Sequence, residues 1–213
     1  MQRLFTIGML VLLAMTSVGC NLSAGAATTA DTLIEPLTPA AATIEPTTAP
    51  SSAAWPADWQ LYVDDIAGIG FAFPQDWTLS PVSEETRRRG NGYIYTLSSF
   101  DQATAPGRDG IPAGSTKLDI SIGALNVMFG DDFTLEQAAN YATTSDGVQE
   151  VLEQTAFTLA DGTPAIKIRL IGQFDDEYTS YILKIGDTGV SVGALGEDMA
   201  TVEQIVMSLH TSS

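Results

Sequence analysis

GTPAIKIRLIGQFDDEYTSYILKIGDTGVSVGAL, residues Gly162 to Leu195, decides the fold. Ile166, Ile168 and Leu170 alternate with Lys167 and Arg169; Tyr181, Leu183 and Ile185 alternate with Ile182 and Lys184; Val190, Val192 and Ala194 alternate with Ser191 and Gly193. Successive side chains of a strand point to opposite faces, so a period of two predicts three strands, each with one buried face. The corners at Asp175-Asp176 and at Gly186 to Gly189 are too short for a crossover helix. The three strands therefore pair antiparallel as a meander, expected in the middle of the sheet.

Working outward, Val151, Thr155, Phe157 and Leu159 alternate on one side of a further strand that turns at Asp161-Gly162. Downstream, Asp198 can cap a helix over 198–209 in which Met199, Val202, Ile205, Val206 and Leu209 recur at helical spacing. Upstream, Thr134 and Gln137 form a capping box for a helix over 134–142, with Leu135, Ala138, Ala139 and Ala142 as its inner stripe. Strands are predicted at Trp59 to Val63, at Gly68 to Pro74, at Tyr93 to Phe100 behind the hairpin dipeptide Asn91-Gly92, and at Thr116 to Leu125. Pro74 should end its strand, because it has no N–H to give a central ladder. The fold class is α+β, an antiparallel β-sheet of about six to eight strands with the two helices packed against it.

The chain begins differently. Arg3, an apolar run from Leu4 to Met15 and the small residues Thr16 to Gly19 have the order of a secretion signal, and the run is too short to span a bilayer. Gly19-Cys20 resembles the end of a bacterial lipoprotein signal, although Ser17 stands where that signal usually has Leu. The resemblance implies that Cys20 is lipidated and becomes the first residue of the mature chain, anchored in the cell membrane on its extracytoplasmic side. An ordinary signal cut near Ala24-Gly25-Ala26 is the alternative. Residues 21–56 are mostly Ala, Thr, Pro and Ser, a composition that cannot bury enough apolar surface to offset its conformational entropy. They are expected to be a disordered tether reaching on the order of 30 Å as a coil. Residues 57–213 are expected to fold as one domain.

Within that domain, GIGFAFPQDWTL (Gly68 to Leu79) places an aromatic strand, a proline stop and a Trp in close order. With the Leu159 to Ala165 hairpin and the closing helix ending at Ser208-Leu209, it resembles the PsbP-like family, which includes PsbP and the Ran-binding Mog-type proteins. The resemblance implies a non-enzymatic role, since those proteins mostly stabilise or dock onto larger complexes.

Charge narrows the function. Eight of the nine basic residues and 23 of the 26 acids lie beyond residue 56, a formal net charge of −15 that repels nucleic acid. Arg87, Arg88 and Arg89 form the one basic cluster, expected on a polar loop either as a docking patch for an anionic partner or paired with neighbouring acids. Val127, Met128 and Phe129 form an apolar tip, either a protein contact or tucked beneath the following helix. With one cysteine, Cys20, and one histidine, His210, a zinc site of the usual type lacks ligands. His210, near the chain end, is expected to be solvent-exposed.

Asp187-Thr188-Gly189 matches the triplet of aspartic proteases, but it occurs once, where a hairpin turn is required anyway. The acid pairs Asp64-Asp65, Asp131-Asp132 and Asp175-Asp176-Glu177 could serve a hydrolase with paired carboxylates or hold calcium, yet none has the spacing of a known calcium loop. No catalytic residue, metal-ligand set or cofactor is read from the sequence. The expected function is a membrane-anchored, non-enzymatic binding or assembly domain with a protein partner.

Overall fold

The computed structural model describes residues 55–103 and 110–212; the signal at 1–20, Cys20 and all but the last two residues of the 21–56 tether lie outside the described residues. The strands are β1 (Trp59–Asp64), β2 (Ile69–Pro74), β3 (Thr78–Leu79), β4 (Tyr93–Ser98), β5 (Thr116–Ile122), β6 (Val148–Thr158), β7 (Pro164–Gly172), β8 (Glu177–Ile185), β9 (Thr188–Gly196) and β10 (His210–Thr211). The helices are α1 (Glu84–Arg88), α2 (Ala124–Phe129), α3 (Leu135–Thr144) and α4 (Met199–Met207). Seven strands make one sheet in the order β3-β4-β5-β9-β8-β7-β6, and β1-β2-β10 make a second. The recorded strand pairs are antiparallel. The α+β architecture follows from these two antiparallel sheets and four helices.

The predicted meander is β7, β8 and β9, joined by short turns; it lies inside the sheet, with β9 as the central strand and β7 and β8 toward the β6 edge. β7 and β9 each bury the expected side and β8 buries Ile182 as well, but the register sets the buried side of β7 opposite that of β8 and β9. Lys167 pairs with Tyr181 and Ala165 with Leu183, so the charged side chains of β7 share a face with the apolar set of β8. Ile166, Ile168 and Leu170 point the other way, joining Ile182, Leu125, Phe133, Ala138 and Ala139 in a second core. The first core holds Tyr95, Leu118, Ile120, Tyr181, Leu183, Val190 and Val192 beneath Phe71, Phe73, Val202, Ile205 and Val206. Periodicity locates a strand's apolar side; only pairing says which side of the sheet that is.

One cross-strand row on the first face runs Thr155, Lys167, Tyr181, Val192, Ile120, Tyr95 from β6 to β4. β6 lies at the edge and carries register shifts between Val148 and Glu150 and between Val151 and Glu153. The extra residue at the second shift places Val151 opposite Leu170, while Glu153, Thr155 and Phe157 fall on the first face. Val151 therefore lies on the opposite side from Thr155 and Phe157, contrary to the expected alternation, because a bulge breaks the period of two.

The two predicted helices form where their caps stand. Thr134 and Gln137 make the reciprocal capping box of α3, and the Asp198 carboxylate accepts from the Thr201 N–H at the start of α4. α4 stops at Met207, short of the expected Leu209. Ser208 Oγ accepts from the Ala72 N–H at 2.8 Å, fastening the helix end to β2. His210 is not an exposed tail residue: it pairs with Gly70 in β10 and is half-buried. A Cβ on Gly70 would come within 2.7 Å of the His210 ring, so a larger residue there would require that ring to move.

Two further expectations change. The strand predicted to run through Leu125 ends at Ile122, and Val127 to Phe129 belong to α2. Asn91-Gly92 is not the turn of a strand hairpin, because α1 precedes it and β4 pairs instead with β3 and β5. Among the described residues no helix is long and apolar enough to cross a membrane.

Candidate functional site

The basic cluster does not stand out in solvent as a set. Ser83 caps α1, and its turn brings Arg88 Nε to 2.7 Å from Glu84 and Arg89 Nη2 to 2.6 Å from Glu85. Arg87 turns inward instead: its side chain is only 15% exposed, and Nη1 reaches Asp64 at 3.0 Å and Asp65 at 2.9 Å. Each of the three arginines pairs with neighbouring acids, Arg88 and Arg89 on the surface and Arg87 turned inward.

Asp64, the last residue of β1, is the buried carboxylate at the centre of that network. Its Oδ1 accepts from the N–H groups of Ile66 and Ala67 and from Arg87, and its Oδ2 accepts from the Tyr93 hydroxyl at 2.5 Å and the Tyr95 hydroxyl at 2.9 Å. Tyr62 donates in turn to the Tyr95 hydroxyl at 2.9 Å. Burial works to raise the Asp64 pKa, but the bonds from Tyr93, Ala67, Tyr95 and Arg87 outweigh it and hold the acid below its ordinary value of 3.8. The same burial, with the hydrogen bonds to Asp64, raises Tyr93; for Tyr95, burial and its bonds to Tyr62 and Asp64 do so. Arg87 is raised chiefly by its bond to Asp65, then by Asp64. The Asp64-Asp65 pair is therefore not a paired-carboxylate site: both acids are joined through one guanidinium.

The apolar tip divides in two. Phe129 packs edge-on to Tyr141 with ring centres 5.5 Å apart and lies 6.4 Å from the Phe133 ring. It is tucked in. Val127 and Met128 remain 59% and 51% exposed on the outer side of α2, and Tyr141 is half exposed on α3. α2 is held to the sheet by Asn126, whose Nδ2 donates to the Asp187 carbonyl at 2.8 Å and whose Oδ1 accepts from the Gly189 N–H at 2.6 Å. A Cβ on Gly189 would meet Leu125 at 2.7 Å, so the Asp187-Thr188-Gly189 triplet is a turn built for close packing. Asn126 Nδ2 also donates to Asp131 Oδ1 at 3.0 Å, engaging one member of another acid pair. Among the described residues, no three His, Cys, Asp or Glu side chains group so as to hold a metal ion.

A cleft of about 270 Å³ that no sequence motif announced lies between α4 and the β6–β8 end of the first face. Glu153, Thr155 and Phe157 line it from β6, Lys167 from β7, Tyr181 from β8, and Glu203, Val206 and Met207 from α4. Lys167 pairs with Glu203 across its mouth, and Lys167 Nζ sits 5.9 Å from the centre of the Tyr181 ring. The Tyr181 ring is 1% exposed, and its buried hydroxyl has no hydrogen-bond partner among the described residues. Leaving such a hydroxyl unmatched costs roughly 1–3 kcal/mol. Burial, followed by the nearby Glu203 carboxylate, raises its pKa.

No family model matches this chain, and no curated protein sequence matches it. Solved structures do. The solution structure of cyanobacterial PsbP from Synechocystis superposes with a TM-score of 0.44 at 13% identity, over 76% of this chain and 98% of that one. A Pseudomonas aeruginosa protein of unknown function gives 0.32 at 14% identity, over 68% and 87%. A Bacteroides thetaiotaomicron protein gives 0.33 at 12% identity, over 72% and 48%.

Sequence reasoning missed Asp64, Tyr93 and Tyr95 as a unit, and Tyr181 as an unmatched group. The one available signal was an aspartate closing an apolar strand, ahead of a strand reading Tyr93-Ile94-Tyr95. Nothing local predicts that Arg87 completes the set, 23 residues away in sequence.

Proposed function

We propose that this chain is an extracytoplasmic lipoprotein whose folded domain is a non-enzymatic binding or complex-assembly module. Cys20 carries the acyl chains, and two such chains give stable anchoring where one does not. The 21–56 segment acts as the tether, and the exposed apolar side of α2 is the docking face for a protein partner at the cell surface. The observation that supports this reading is a contrast between the polar groups and α2. The buried carboxylate is matched and each arginine of the basic cluster has an acid partner, although Arg87 Nε has none, whereas Val127 and Met128 are left in solvent.

The experiment has two parts in intact cells. Cys20→Ala should move the protein out of the membrane fraction, and a variant that stays there removes the anchor from this account. A photo-crosslinking residue in place of Met128 should give a discrete adduct that the same probe at Glu84 does not. Adducts at both positions, or at neither, would reject α2 as the docking face.

A further inference from the structure

Independently of the docking face, we propose that the cleft between α4 and strands β6 to β8 is a binding site for a small uncharged amphiphile. Its ligand has an apolar body and one hydrogen-bond acceptor, which receives the Tyr181 hydroxyl. The cleft exists because α4 packs on β2 and β9 and leaves the β6–β8 end of the face less covered. There the lining is the Phe157 and Tyr181 rings, set edge-to-face with centres 6.1 Å apart, together with Val206 and Met207.

Size, polarity and charge each narrow the ligand. An apolar cavity of about 150 Å³ accepts benzene, so on the same scale this cleft of about 270 Å³ holds roughly ten non-hydrogen atoms. Ligand sites are typically apolar with a few placed polar groups, and Tyr181 brings one to this lining: its hydroxyl is buried and unmatched. An anion is disfavoured because Glu153 and Glu203 both line the cleft. The neighbouring cations are already engaged, Lys167 with Glu203 and Arg169 with Glu153 and Glu177. An ammonium would compete with Lys167 for Glu203 and, having no acceptor, would leave the Tyr181 proton unplaced. A carbonyl, ether or alcohol oxygen on an apolar frame meets all three conditions.

The test uses the full chain in lipid nanodiscs with methyl-labelled methionines, reading the Met207 methyl resonance, with empty nanodiscs correcting for partition of the probe. Three probes share a ring and a methyl group: 4-methylacetophenone, 4-methylbenzoate and 2-(4-methylphenyl)ethylammonium. The ketone should shift Met207 saturably, and the two charged probes should bind at least about tenfold more weakly. Tyr181→Phe keeps the ring and removes only the hydroxyl, so it should weaken the ketone roughly three- to tenfold while the protein stays folded. Thr155→Trp, on the exposed edge strand, should fill the mouth and abolish the shift with thermal unfolding little changed. No saturable shift with the ketone, equal binding of the benzoate, or unaltered affinity in Tyr181→Phe would each overturn the proposal.

Discussion

Tyr95 and Tyr181 occupy one cross-strand row of the large sheet, with only Val192 and Ile120 between them, and both rings are buried. Their hydroxyls differ completely. Tyr95 accepts from Tyr62 and donates to Asp64, inside a network roofed by β1 and closed by Arg87. Tyr181 has no partner, and beside it stands a cleft rather than a second layer of strand. The small sheet β1-β2-β10 and α4 share the covering of this face, and neither supplies an acceptor for Tyr181. Most buried polar groups of a closed layer are matched because a mismatch costs stability, although Arg87 Nε in this network has no partner among the described residues. One left unmatched beside a cleft keeps a hydrogen bond available for something else.

The largest effect that separates the two ends is expected from Asp64→Ala. It strands the Tyr93 and Tyr95 hydroxyls and the Arg87 guanidinium together, and should lower unfolding stability by about 3–5 kcal/mol in urea denaturation. Because the folded-state pKa of Asp64 is depressed, its contribution is fully present above the ordinary value and lost as pH falls through the folded one. The wild-type urea midpoint should thus drop more steeply than that of Asp64→Asn as pH falls below the ordinary value of 3.8. Equal slopes would mean that Asp64 is not held ionised.

Next in size is Tyr95→Phe, which deletes a donor to Asp64 and the acceptor of Tyr62, and should destabilise by about 1–3 kcal/mol. Tyr181→Phe is the matched change at the other end of the row. It should have the opposite sign, raising stability by up to about 1 kcal/mol, since an unmatched hydroxyl leaves an apolar wall. If both substitutions destabilise alike, the comparison fails. Smallest of all is Arg88→Gln, a change to a solvent-exposed pair with Glu84 that should stay within about 0.5 kcal/mol of wild type. A larger loss would show that α1 matters to the fold beyond Arg87.

Much of this architecture was legible residue by residue. Thr134 with Gln137, and Asp198, marked the starts of α3 and α4, because a capping side chain answers to backbone donors two or three residues away. Pro74 ended β2 as expected, for want of an N–H. The errors fell where a distant partner decides. Val151 crossed to the other face because a bulge slipped β6 against β7. His210 became a strand residue because β2 offered it an edge. Arg87 left its neighbours Arg88 and Arg89 for two acids at the end of β1.

The sequence by itself determined that residues 162–195 form three antiparallel strands, where two helices begin, and that the domain is acidic. These are matters of period, short-range capping and composition, each decided within about ten residues of chain. Only the tertiary structure decided that Lys167 and Tyr181 share a face, that Asp64 is enclosed by tyrosines from another strand, and that α4 leaves a cleft over β6 to β8. Those outcomes depend on register and on which layer covers which strand. Such contacts join residues tens of positions apart and leave no local trace in the order of the amino acids.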